Sequence, residues 1–106
     1  MIARLCHRVI LQRRSEVADL GGGVNLSWTD IAELWAGIMP LTGSETVRAM
    51  RVQPIQNFLI RLRYRDDITA ADRLLFGQRV LNIRSVRNVN ERGQWLECRC
   101  EEGVGG

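Results

Sequence analysis

The stretch "FLIRLRYRDDIT", residues 58–69, constrains the fold more than any other part of the chain. Phe58, Ile60, Leu62 and Tyr64 fall on one side of a period-two pattern, and Leu59, Arg61, Arg63 and Arg65 fall on the other. Side chains alternate across a strand, so this pattern predicts a strand with one dry face and one wet face. A helix would scatter the arginines around its circumference. The chain must therefore build a sheet with a core behind this strand. Its 106 residues allow only one such core.

Further strands follow from the same reading. Residues 4–14 carry "LCHRVIL", apolar and β-branched, closed by "QRR". "RLLF" and "RVLNIRSV" read as two strands joined by a tight turn at Gly77 and Gln78, and a last hairpin runs from "SVRNV" through a turn at Asn90 to Gly93 into "WLECRCE". "WTDIAELWAGIMPL" fits either period, but Gly37 and Pro40 disfavour a helix, which leaves a strand from about Glu33 to Met39. A short helix is expected next, capped by Thr42 or Ser44, with Glu45 in its first turn and its end at Met50 or Arg51. Residues 15–27, "SEVADLGGGVNLS", show neither period and predict a long flexible loop. Residues 103–106 predict a disordered tail. The expected fold is mainly β: a single domain over residues 5–102, a small barrel or sandwich of five to six strands with one short helix and that loop.

The chemistry-bearing residues are sparse. One histidine, His7, stands in the first strand without an acid beside it, so nucleophilic catalysis has no base to work with and no enzyme is expected. Cys6, His7, Cys98 and Cys100 offer zinc-binding atoms, but Cys6 and His7 point to opposite faces of one strand; no metal or other cofactor is expected. Three cysteines cannot all pair, and free thiols are expected. Asp66, Asp67 and Asp72 could hold a hard cation, yet such a cluster more often caps a turn, with Asp72 placed to pair with Arg73 or Arg65. The N-terminal apolar run is broken by Arg4 and Arg8 and lacks a cleavage site, which argues against a secretory signal, and no stretch is long enough to span a membrane.

All 15 basic residues are arginine and the net charge is +3, which permits an acidic partner without requiring one. Phe58 and Tyr64 lie opposite the arginines of their strand, so stacking and charge would not meet one nucleic-acid ligand. Trp28, Trp35 and Trp95 are expected as core or interface anchors.

The order "ELWAGIMPLTGSE", "IRLRYRDDITAADRLLF", "VLNIRSVRNVNERGQWLECRCEE", preceded by a glycine-bearing loop, resembles the phage head-tail joining family, the head-closure or stopper proteins of long-tailed phages and gene transfer agents. The resemblance runs from Leu5 to Glu102. It implies a non-enzymatic virion protein, assembled in the host cytoplasm and placed in the neck of the particle. A dodecameric ring of it would close the DNA channel under the portal and adaptor and offer a docking surface to the tail terminator or tail tube. Packaged DNA would be touched without sequence-specific binding. On this resemblance Glu16, Asp19, Gly21, Gly22, Gly23 and Asn25 would form a channel loop. Arg61, Arg63 and Arg65 would pair across a ring interface with carboxylates drawn from Asp66, Asp67, Glu91, Glu97, Glu101 and Glu102. The adaptor of the same particle, a small nucleic-acid-binding barrel and a zinc or redox module are the competing readings. Strand content favours the stopper over the more helical adaptor.

Overall fold

The computed structural model describes residues 4–18, 20–41, 45–48, 51–54 and 56–103, with the backbone alone described for 45–48 and 51–54. Eight strands occur among them: β1 (His7–Ala18), β2 (Val24–Leu41), β3 (Glu45–Arg48), β4 (Arg51–Pro54), β5 (Asn57–Arg63), β6 (Arg73–Phe76), β7 (Arg79–Asn88) and β8 (Trp95–Gly103). Six of them close into an antiparallel barrel in the order β1-β2-β5-β8-β7-β6. Closure comes from a short pairing of Ile10–Gln12 on β1 with Leu75–Arg73 on β6. The remaining two, β3 and β4, form a separate hairpin.

The alternation that predicted β5 places Phe58, Ile60 and Leu62 in the core. They meet Val9 and Leu11 of β1, Leu74 of β6, Leu81 and Ile83 of β7, and Leu96, Cys98 and Cys100 of β8. The two cysteines stand opposite two large apolar β5 side chains, Cys98 against Ile60 and Cys100 against Phe58. A small side chain facing a large one keeps a narrow barrel filled without strain. Burial pushes the Cys98 thiol up to about 12 and raises that of Cys100 as well. Both are inert core groups at neutral pH.

Five expectations need correction. The segment 15–27 is not an irregular loop: β1 and β2 stay paired out to Ala18 opposite Val24, so it is the end of a two-stranded ribbon that outruns the barrel. Both faces of this ribbon meet water, so no period-two pattern marks it. For the same reason β2 starts at Val24 instead of Glu33. The expected helix is replaced by the β3–β4 hairpin, in which Val47 faces Val52 in register. Its β-branched Thr46, Val47 and Val52 suit extended backbone, while the expected caps Thr42 and Ser44 lie outside the described residues. Tyr64 is not in the core, because β5 ends at Arg63 opposite Trp95 and leaves Tyr64 40% exposed. Gly103, expected in the tail, ends β8 opposite Val80.

The turns match their sequences. Gly77 and Gly93 adopt positive φ with open space around them, the backbone region that glycine enters without a steric penalty. Asn88 Oδ1 accepts the Gly93 N–H at 2.9 Å and fixes the last hairpin.

Candidate assembly surface

The outer surface is built from arginine, carboxylate and tryptophan in alternation. Of the three β5-region arginines, two are occupied within the chain. Arg61 donates to Glu97 at 2.8 Å across the β5–β8 pair, where both side chains are largely covered. Arg65 grips Asp67 with two bonds of 3.0 and 2.9 Å. Arg63 has no carboxylate partner among the described residues; its guanidinium lies 5.0 Å from the ring centre of Trp95.

The expected interfacial acids divide in the same way. Glu97 also accepts from Arg87, Glu101 accepts from Arg84, and Glu102 binds Arg79 through both oxygens at 2.9 and 3.1 Å. Asp66 and Glu91 are exposed, without an ion pair among the described residues. Hydrogen bonds from arginine hold the carboxyls of Asp67, Glu97 and Glu102 below their ordinary values. A folded-state value below the unfolded one gives stability that is complete above the ordinary value and lost as pH falls through the folded one. Acid unfolding should therefore begin below the ordinary glutamate value of 4.5. Glu97→Gln should flatten part of the loss that sets in as pH falls below that value, as read by urea midpoints on either side of it. An unchanged acid slope in that variant would count against the assignment.

The tryptophans are neither core residues nor isolated. Trp28 is stacked by Arg73 at 4.1 Å, Trp35 by Arg8 at 4.8 Å, and Trp95 by Arg63 and Arg61. Guanidinium over an indole face is attractive and keeps the flat surfaces partly dry. Trp35 nevertheless stays 51% exposed. It lines a groove of about 300 Å³ with Glu33, Leu34, Leu62, Arg63 and Arg65. Sequence reasoning missed this groove, because it forms only where β5 ends and β2 continues.

A second arrangement missed in the sequence fixes the ribbon to the barrel. Arg13, at the ribbon's root, donates to the Asp67 carbonyl at 2.8 Å and to Asp72 at 3.4 Å. Asp72 is buried and accepts the Thr69 N–H at 3.1 Å, so it caps its own turn and anchors Arg13, not Arg73 or Arg65. On the opposite face Arg73 donates to Gln12 at 2.8 Å while stacking on Trp28, and Gln12 donates to Asp30. A paired excess of arginine and aspartate around residues 65–73 was the only signal.

Beyond its root the ribbon is wet and apolar together. Val17, Val24 and Leu26 are each more than half exposed, and Leu20 is fully exposed. Of the residues expected in a channel loop, Glu16 pairs with Leu26 and Asn25 with Val17 in the ribbon. Gly21, Gly22 and Gly23 form its turn, and Asp19 lies outside the described residues. Cys6, His7, Cys98 and Cys100 do not converge: Cys6 is exposed, His7 packs edge-on against Phe76, and the other two are in the core. No group of metal-binding side chains occurs among the described residues.

Comparison with known proteins gives this surface a context. The chain is similar to a component of a native gene transfer agent virion, with a TM-score of 0.80 and 26% identity over 99% of this chain and 100% of that one. It is similar also to a Shigella flexneri 2a protein solved in solution, with a TM-score of 0.71 and 27% identity over 97% and 96% of the two chains. Among curated proteins none matches its sequence. The family profile of phage head completion proteins matches residues 1–103, and the chain belongs to that family.

Proposed function

We propose that this chain is a structural head-tail joining protein, copies of which form a ring beneath the portal, close the DNA channel of the filled head and present the surface on which the tail docks. The observation that carries this reading is the ribbon: four aliphatic side chains on a two-stranded projection from the barrel. A lone two-stranded ribbon is marginal in water, and exposed strand edges with apolar side chains invite pairing with another chain. Family membership makes the other members of a virion neck the natural source of that chain. The surface ion pairs support a protein partner over a nucleic acid. Arg8, Arg61, Arg79 and Arg84 are each neutralised by a carboxylate, which breaks up the basic patch that phosphate binding requires.

The test is electron microscopy of particles from a producing strain that lacks this chain. Filled or DNA-leaking heads beside complete, unattached tails are expected. Particles with tails in normal number would refute the joining role.

A further inference from the structure

The ribbon and the groove are complementary, and both belong to every copy. β5 pairs with β2 only from Leu62 opposite Ala36 to Asn57 opposite Leu41. From Val24 to Trp35, the β2 edge that faces away from β1 is not paired by any strand of the described residues. Where that open edge begins, the groove at Trp35 and Arg63 continues into a second hollow against Leu5. It offers an exposed indole, apolar walls at Leu34 and Leu62, and a guanidinium with no carboxylate among the described residues. The ribbon tip offers the converse: Val24 and Leu26 share a face with Glu16, whose cross-strand partner is Leu26, Leu20 stands at the turn, and Val17 is on the other face opposite Asn25. Glu16 has no ion pair among the described residues.

Resting on the ring reading above, we propose that the ribbon tip of one copy seats in the groove of the next, with its aliphatic side chains against Trp35 and Glu16 against Arg63. The contact cannot close within one chain. Val24 and Trp35 lie on the same continuous strand, roughly 36 Å apart at strand rise, so a tip cannot reach its own groove without breaking β2. Two different patches used head to tail make a heterologous contact, which closes into a ring when the rotation allows. The occupant suits the site chemically. Aliphatic side chains cover an indole, and one carboxylate meets one cation, which fixes register and rejects wrong partners. The open β2 edge can add backbone hydrogen bonds to the incoming strand.

Charge exchange in the producing strain tests this. Glu16→Arg and Arg63→Glu should each lower the yield of tailed particles by about ten-fold or more, since a ring repeats the defect at every interface. The two together should restore the yield to within about three-fold of the parent, the signature of direct coupling. As a second measurement, Glu16→Cys with Arg63→Cys in a Cys6→Ser background should give, on oxidation of purified particles, a ladder of cross-linked copies of this chain. Single variants that tail normally, or a double variant no better than the singles, would overturn the contact. So would cross-linking of Arg63→Cys to a different virion protein. These results leave the joining role standing; only normal tailing in the strain lacking the chain removes both.

Discussion

Ile60→Ala should lower the unfolding free energy by about 3–4 kcal/mol, a large part of the 5–15 kcal/mol typical of a single domain. Ile60 is fully buried at the middle of β5, with Ile38 of β2 on one side and Cys98 of β8 on the other. Truncation removes transfer free energy and leaves a cavity. The hydrogen-bonded wall of a closed barrel cannot collapse inward to fill it. Leu59, one residue earlier on the outer face and only half-buried, should cost about 1 kcal/mol on the same change. Urea unfolding of the two variants reads the difference directly. A cost at Ile60 no larger than that at Leu59 would mean that the strand's faces are reversed.

That contrast also marks what a sequence of this kind discloses. β5, the β6–β7 hairpin and the Asn90–Gly93 turn were legible because each has either a dry face or a glycine at a positive φ. The ribbon was not, because alternation appears only where one face is buried, and neither face of residues 15–18 or 24–27 is. The β3–β4 hairpin was misread as a helix because capping residues at 42–45 signalled a start, while the β-branched residues that follow decided for strands. The partners of the arginines were illegible for a different reason. Arg61 finds Glu97 through the β5–β8 register, and Arg13 finds Asp67 and Asp72 through barrel closure, both set by chain reversals that local patterns do not encode. Of the two places expected for the tryptophans, core or interface, the structure removes the core. Their size suggested anchors, but the barrel interior has room only for aliphatic side chains, one phenylalanine and two cysteines.

Asp72→Ala should cost about 2–3 kcal/mol and should loosen the ribbon more than the barrel. Asp72 is 4% exposed, and its two oxygens serve different elements: one accepts the Thr69 N–H, the other the Arg13 side chain. Alanine leaves the Thr69 N–H without its acceptor and deprives Arg13 of one of its carboxylates, though the Asp67 carbonyl still holds Arg13 at 2.8 Å. Removing one partner of a covered polar pair costs more than the pair is worth, because the group left behind stays desolvated. Asp72→Asn keeps one acceptor for the Thr69 N–H but turns an amide N–H2 toward Arg13, and should cost about 1 kcal/mol. Arg13→Ala should fall near that value too, since Arg13 is the more exposed partner. Hydrogen exchange separates local from global effects. In Asp72→Ala the amides of Val17, Asn25 and Leu26 should exchange faster relative to those of Ile60 and Cys98 than in the parent chain. If every amide accelerates equally, Asp72 holds the barrel alone, and the ribbon's direction is set instead by Arg73 on Gln12 and Trp28. If the ribbon alone accelerates, the arm proposed to seat on a neighbouring copy is aimed by a carboxylate buried at its root.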